Sequence, residues 1–197
     1  MASRRSDRTA PVAMKILVAG GFGVGKTTLV GAVSEIRPLQ TEELLTARSV
    51  GVDDTTGVEQ KTTTTVAMDF GRITIRDGLV LYLFGTPGQD RFWFMWDELS
   101  HGALGAVVLV DTRRIADCFP AIDYFENRRL PFVIGVNRFD GGDAYTAQEI
   151  RDALTLGDHV PVEFCDVRDR ASGRQVLTTL VRHRLAVHRA ERNSSGP

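Results

Sequence analysis

The stretch Gly20-Gly21-Phe22-Gly23-Val24-Gly25-Lys26-Thr27 matches the pattern G-x-x-x-x-G-K-[ST]. It lies between the apolar run Ile16-Leu17-Val18-Ala19 and a helix-like segment that begins near Lys26 and includes Thr28. In such a loop the glycines let successive backbone N–H groups face phosphate oxygens, the lysine reaches the β- and γ-phosphates, and the last hydroxyl can bind Mg²⁺. A strand before the loop and a helix after it are the context that supports the motif, so the sequence predicts a phosphate-binding loop.

Length and charge limit the function classes that this chain can belong to. Its 197 residues suffice for one core of ordinary size, and we expect one domain over residues 12–190 with flexible tails at 1–11 and 191–197. The 24 Lys and Arg residues nearly balance the 25 Asp and Glu residues, which gives no general electrostatic drive toward nucleic acid. Cys118 and Cys165 lack metal-ligand spacing and are predicted to be small core residues.

No stretch approaches the length of a membrane span. The last residues, Ser194-Ser195-Gly196-Pro197, carry no lipidation signal, so we expect no intrinsic membrane anchor. The predicted location is the cytoplasm, with recruitment to a membrane only through a partner.

Apolar runs alternate with helical segments, which is typical of an α/β protein whose parallel sheet is covered by helices on both faces. The turn Asp77-Gly78 predicts one antiparallel hairpin within a mostly parallel six-stranded sheet. The segment from Arg37 to Thr65 has little periodicity and is predicted to be a long loop. Predicted strands are 14–19, 66–76, 79–84, 104–111, 132–136 and 160–164; predicted helices are 26–35, 90–99, 115–127, 146–154 and 172–190.

Asn137-Arg138-Phe139-Asp140 follows the strand at 132–136 directly. This motif resembles the N-K-x-D sequence of Ras-like small GTPases, with Arg138 in place of the lysine. The resemblance implies a P-loop G domain in which Asp140 accepts hydrogen bonds from guanine and Asn137 braces the loop. Adenine lacks the matching pair of donors, so a buried aspartate would discriminate against it. The alternative is a strand end followed by a helix-capping aspartate.

Gly85-Thr86-Pro87-Gly88-Gln89 resembles the D-x-x-G-Q motif of the same family. By that resemblance the Gly88 N–H approaches the γ-phosphate, and Gln89 orients the attacking water, acting in catalysis together with Lys26. Gly85 stands where the family has an aspartate that helps to hold Mg²⁺. The metal ligands are then expected to be Thr27 and Thr65, with Thr64 as the alternative to Thr65.

Two further segments complete the predicted site. Asp166-Val167-Arg168 follows the last strand, where the family has S-A-K, and the resemblance places the Val167 N–H toward the guanine carbonyl oxygen. The alternative is an ordinary strand end. Phe22 occupies a loop position that is glycine in many members, where bulk crowds the catalytic glutamine. Phe22 therefore predicts slow hydrolysis of GTP, unless it packs on a neighbouring loop.

The whole pattern, with Asp69-Phe70-Gly71 and the aromatic residues after Gln89, looks most like the bacterial conservon (CvnD-like) GTPases, relatives of the gliding-motility protein MglA. That resemblance implies GTP/GDP and Mg²⁺ as cofactors, and a roadblock-fold protein and a sensor-kinase-like protein as partners. The leading hypothesis is a GTP-hydrolysing switch. A guanine-nucleotide-binding scaffold with little hydrolysis is the alternative, and an ATP-dependent P-loop kinase is disfavoured by Asn137 and Asp140.

Overall fold

The computed structural model describes residues 11–37, 39–46, 63–88, 94–139 and 145–194. The strands are β1 (Val12–Gly20), β2 (Leu39–Thr46), β3 (Thr63–Arg76), β4 (Leu79–Gly85), β5 (Ala103–Val110), β6 (Phe132–Asn137) and β7 (Val162–Cys165). The helices are α1 (Lys26–Val33), α2 (Phe94–Ser100), α3 (Phe119–Asn127), α4 (Ala147–Ala153) and α5 (Arg170–Ser194), with a 3-10 helix at Thr112–Cys118.

Within these ranges the strands form one sheet in the order β2-β3-β4-β1-β5-β6-β7. β3 pairs antiparallel with both of its neighbours, and the remaining pairs are parallel, which confirms the predicted mixed α/β sheet. The six predicted strands are all present. β2 is a seventh strand, inside the segment predicted to be a long loop, and it lies at the sheet edge. Its sequence LQTEELLT lacks period-two alternation, so pairing with β3 determines its structure.

The sheet is buried on both faces, as β1 demonstrates. Ile16 and Val18 pack in the apolar cluster that includes α1 and α5, whereas Leu17 packs in the opposite cluster with Trp96 and Phe125. Successive side chains of a strand point to opposite faces, so a continuous apolar run is what a doubly covered strand requires. Cys118 and Cys165 are buried free thiols, as expected.

The predicted helices differ from the observed ones most at two places, and the other described boundaries agree within two residues. The predicted helix at 115–127 is a 3-10 helix followed by α3, which has Pro120 in its first turn, a position that tolerates the missing N–H. α5 continues to Ser194, beyond the predicted end at Ala190. The limits of the predicted domain, 12–190, remain a prediction.

The parallel strands bring five connections to one edge of the sheet. β1, β4, β5, β6 and β7 all run in the same direction, so the segments that follow them meet at their carboxyl ends. In open α/β sheets, ligands bind in the crevice outside these ends.

Candidate nucleotide-binding site

The predicted phosphate loop connects β1 to α1, in the strand–loop–helix arrangement that the motif requires. Gly25 has a φ of +108°, in the left-handed region that favours glycine. A Cβ at Gly25 would lie 2.8 Å from Val167 Cγ2 and 3.1 Å from Asn137 Nδ2. Glycine is therefore required at this position both for its backbone angle and for its lack of a side chain.

The side chain of Lys26, the first residue of α1, extends back into the phosphate loop. Its Nζ donates hydrogen bonds to the carbonyl oxygens of Gly20 at 2.8 Å and Gly21 at 2.7 Å. Burial lowers the pKa of Lys26 from 10.5 to about 8, and the charge of Asp69 opposes this shift. A phosphate oxygen is a stronger acceptor for this ammonium group than a neutral carbonyl, so Lys26 is arranged to exchange carbonyl partners for an anion.

Asn137, at the end of β6, links the phosphate loop to the segment after β7. Its Nδ2 donates to the carbonyl oxygen of Val24 at 3.1 Å, and its Oδ1 accepts from the backbone N–H of Val167 at 3.3 Å. The side chain is only 5% exposed. Both ends of a buried amide are thus used to join three sheet-end segments.

Thr27 and Asp69 form an oxygen-rich pair beside the loop. Thr27 Oγ1 donates to Asp69 Oδ2 at 2.6 Å. A Cβ at Gly85 would lie 3.1 Å from both Cβ and Oδ2 of Asp69, so the Asp69 carboxylate lies against the glycine that replaces the expected aspartate. Mg²⁺ is usually held by one or two protein oxygens together with phosphates and water, and this pair fits that donor set. Among the described residues, no group of three or more His, Cys, Asp or Glu could hold a metal ion by itself.

The base side of the site is described up to Phe139. The Arg138 N–H donates to the Cys165 carbonyl at 2.8 Å, and its guanidinium lies 5.3 Å from the Phe164 ring centre. The guanidinium of Arg113 lies 4.0 Å from the ring centre of Phe139. Asp140, the predicted base-reading residue, lies outside the described residues.

Asp166, Val167 and Arg168 follow β7, as predicted, at the same edge. Arg168 Nη2 pairs with Asp166 Oδ2 at 2.9 Å, and the Arg168 side chain lowers the pKa of Asp166. The Val167 N–H was expected to point toward the guanine carbonyl. In the structure this N–H donates to Asn137 Oδ1 at 3.3 Å, and its contact with the guanine carbonyl stays a prediction.

The segments expected next to the γ-phosphate are described in part. A Cβ at Gly88 would lie 2.7 Å from Lys26 Nζ, which places Gly88 over the phosphate loop. Thr65 pairs in β3 with Leu44, and Thr64 pairs with Leu45. Gln89 and the side chains of both threonines lie outside what the structure describes.

A model of the conserved hypothetical ATP-binding protein family matches residues 18–187. The chain belongs to this family. A relative from Methanocaldococcus jannaschii, an uncharacterized protein, is 34% identical over 137 residues, which cover 68% of this chain and 76% of the relative.

The fold of this chain is similar to that of G domains among the solved structures. The cytosolic domain of the T. maritima FeoB iron transporter in its apo form has a TM-score of 0.62 at 17% identity, covering 88% of this chain and 64% of that chain. The isolated G domain of that transporter has a TM-score of 0.60 at 18% identity, covering 88% and 99%. The FeoB G domain of Methanococcus jannaschii has a TM-score of 0.56 at 11% identity, covering 87% and 97%. The chain therefore has the P-loop fold and spans about two thirds of the first of these structures.

Four residues of the candidate site were not predicted from the sequence. Asp69 contacts Thr27, and a group at the end of β5, Asp111, Arg113 and Arg114, contacts both the phosphate loop and Phe139. The sequence signal for Asp69 was the missing carboxylate at Gly85. The signal for the second group was an aspartate that ends a buried strand and precedes two arginines. No helix among the described residues is both long enough and apolar enough to cross a membrane.

Proposed function

We propose that this protein is a GTP-binding molecular switch that hydrolyses GTP to GDP and phosphate. The observation that carries the proposal is the Asn137 side chain, which ties the phosphate loop to the loop that begins Asn137-Arg138-Phe139-Asp140. A base bound at that loop and phosphates bound at Lys26 would be the two ends of one nucleotide.

Guanine is the proposed base, although the family description names ATP. Asp140 can accept from both the ring N–H and the exocyclic amine of guanine, whereas adenine would leave an acceptor unpaired. The FeoB cytosolic domain of T. maritima, which has the same fold at a TM-score of 0.63, is described in a GDP form.

The residues of the chain divide the chemistry among them. Lys26 and the loop N–H groups would bind the β- and γ-phosphates. Gly88, where a side chain would meet Lys26 Nζ at 2.7 Å, would bring its N–H to the terminal phosphate. Thr27 and Asp69 would hold Mg²⁺, which when bound neutralises charge on the phosphate oxygens. Gln89 would orient the attacking water.

A scaffold that binds guanine nucleotide with little hydrolysis is the second candidate. Phe22 is 70% exposed at the mouth of the phosphate loop, where its ring can crowd an attacking water or an activating side chain. The resemblance to conservon GTPases favours signalling through a roadblock-fold and a sensor-kinase-like partner, and both partners belong to this proposal.

The test is competition of GTP and ATP for the Mg²⁺-loaded protein, followed by single-turnover hydrolysis with and without Gln89→Ala. We expect GTP to bind in the presence of ATP, and ATP not to displace GTP. Hydrolysis of bound GTP should be slow, and Gln89→Ala should abolish it. Asp140→Asn should weaken GTP binding and improve binding of xanthosine triphosphate, because xanthine has a carbonyl where guanine has the amine. Tight GTP binding without hydrolysis would leave the scaffold, and preference for ATP would overturn the guanine assignment.

A further inference from the structure

Asp111 anchors the segment that follows β5. Its side chain is 4% exposed. Arg113 donates two parallel hydrogen bonds to it, Nε to Oδ1 at 2.9 Å and Nη2 to Oδ2 at 2.7 Å. The backbone N–H of Arg113 also donates to Oδ1 at 3.0 Å. A forked pair with three hydrogen bonds to one carboxylate fixes the direction of the arginine side chain.

Arg113 is thereby held against the base loop. Its guanidinium lies 4.0 Å from the ring centre of Phe139, the residue between Arg138 and Asp140. An arginine at this distance is attracted to the face of an aromatic ring. The contact fixes the described end of the loop predicted to read the base.

Arg114 also lies beside Asp111, with its Nε 4.0 Å from Asp111 Oδ2, but its side chain extends to the phosphate loop. Its Nη2 donates to the carbonyl oxygen of Phe22 at 2.7 Å, and its Nη1 lies 3.7 Å from Asp117 Oδ2. Arg114 has a φ of −141° and a ψ of 51°, outside the helical range of its neighbours. With this backbone conformation, the side chains of the two consecutive arginines extend to different loops.

We infer that Arg113 and Arg114 are two positioning residues on one anchor, Arg113 for the base loop and Arg114 for the phosphate loop. The inference rests on the proposed function, in which these loops bind the base and the phosphates. Neither arginine is assigned a contact with the nucleotide. Each acts through the loop residue that it holds, Phe139 or Phe22.

This division predicts opposite effects on selectivity. Without Arg113 the base loop can adopt other positions. The preference for one base over the other should then fall, while the increase in affinity that each phosphate contributes should not change. Without Arg114 the phosphate-loop carbonyl at Phe22 loses its donor, so the gain from the β-phosphate falls while base discrimination stays. A general loss of folding would lower both quantities together.

The experiment measures dissociation constants of GDP, ADP and GMP by calorimetry in Mg²⁺ buffer. The variants are Arg113→Ala and Arg114→Ala, with Arg182→Ala, an exposed arginine on α5, as the matched control. We expect Arg113→Ala to reduce the ADP-to-GDP ratio of dissociation constants about tenfold, as for the loss of an arginine–ring contact. Arg114→Ala should reduce the GMP-to-GDP ratio about tenfold, as for the loss of a charged hydrogen bond. Arg182→Ala should change neither ratio.

The lysine variants provide a second test that can be used if an alanine variant folds poorly. Arg114→Lys keeps one donor for the Phe22 carbonyl and should restore most of the GMP-to-GDP ratio. Arg113→Lys cannot make the forked pair and should not restore base discrimination. Equal changes of both ratios in both arginine variants, or no change in either, would overturn the inference.

Failure of the proposed function gives a different result. If the unaltered protein prefers ADP, the guanine assignment fails, and the positioning roles are judged on the inverted base ratio in the same variants. If the unaltered protein binds none of the three nucleotides, the proposed function and the positioning roles are both overturned.

Discussion

Thr27 and Asp69 meet across the site, with Thr27 Oγ1 donating to Asp69 Oδ2 at 2.6 Å. Thr27 lies in the first turn of α1, and Asp69 lies on β3, the antiparallel strand. The carboxylate lies beside Gly85, at the end of β4, where the D-x-x-G pattern would have its aspartate. The acidic group at this position is therefore supplied by a neighbouring strand.

Asp69→Asn should weaken the coupling between Mg²⁺ and nucleotide. The amide keeps the volume but lacks the charge, and a hydrogen bond to a charged group contributes about 1.5–3 kcal/mol. We expect the Mg²⁺ concentration at half-maximal retention of GTP to rise by about tenfold or more. The measurement is the dissociation rate of a fluorescent GTP analogue across a Mg²⁺ titration.

A strand exchange provides the control. Asp69→Gly combined with Gly85→Asp moves the carboxylate from β3 to β4, and we expect it to restore part of the Mg²⁺ dependence. Gly85→Asp alone should crowd Asp69, since a Cβ there would lie 3.1 Å from Asp69 Cβ. An unchanged Mg²⁺ requirement in Asp69→Asn would show that Asp69 has no part in holding the metal.

The position of Asp69 could not be derived by counting from the Asp77-Gly78 turn. The pair Arg76 and Leu79 begins the hairpin, and a regular register would then place Asp69 opposite Thr86. An irregularity between Thr74 and Arg76 shifts the register, so Phe70 pairs with Phe84 and Asp69 comes beside Gly85. A bulge of this kind moves a side chain toward a site without a clear sequence signal.

The phosphate loop, by contrast, was predictable because its chemistry is local. Glycine positions, Lys26 and the flanking apolar run lie within one short stretch, and the structure has the expected strand before it and helix after it. β2 was missed because edge strands depend on a partner strand more than on their own pattern. The different contacts of Arg113 and Arg114 depend on a backbone kink and on distant partners, which sequence spacing does not specify.

The affinity for nucleotide should fall as the pH rises above about 8. Burial lowers the pKa of Lys26 from 10.5 to about 8, and bound phosphates would raise it again, so binding takes up a proton in this range. The decrease should approach tenfold per pH unit, as one proton requires. Calorimetry of GDP binding between pH 7 and 8.8 in buffers of different ionisation enthalpy measures both the affinity and the proton uptake.

Lys26→Met is the control for that pH dependence, because it removes the titrating group. Its binding should be weaker and nearly independent of pH over the same range. In the nucleotide-free protein the sign is opposite: the folded state binds fewer protons than the unfolded state between pH 8 and 10.5, so Lys26 makes the free energy of unfolding rise with pH there. If the GDP affinities of the unaltered protein and of Lys26→Met change equally with pH, the assignment to Lys26 is wrong.

Gly25→Ala should destabilise the protein and abolish nucleotide binding, whereas Gly78→Ala should cost less and leave binding intact. Both glycines have positive φ, +108° and +75°, so both variants carry backbone strain of about 1 kcal/mol. A Cβ at Gly25 also meets Val167 at 2.8 Å, while none of the described atoms lies within 4 Å of one at Gly78. We expect a loss in unfolding free energy of about 2–4 kcal/mol for Gly25→Ala, measured by urea denaturation.

Gly78→Ala separates the two causes in that comparison, since it has the strain without the steric contact. If the two variants lose equal stability and bind GDP equally well, the packing of Gly25 against Val167 and Asn137 is not what makes glycine necessary there.

Phe22→Ala should accelerate single-turnover hydrolysis of GTP without a large change in stability. The Phe22 ring is 70% exposed, and substitutions of exposed side chains usually change the unfolding free energy by no more than about 0.5 kcal/mol. The Phe22 carbonyl, which Arg114 contacts, is retained in the variant. Removal of the ring opens the space above the loop for Gln89 and water. Phe22→Leu, which retains bulk, should remain slow, and equal rates for all three proteins would mean that the slow step lies elsewhere than at this side chain.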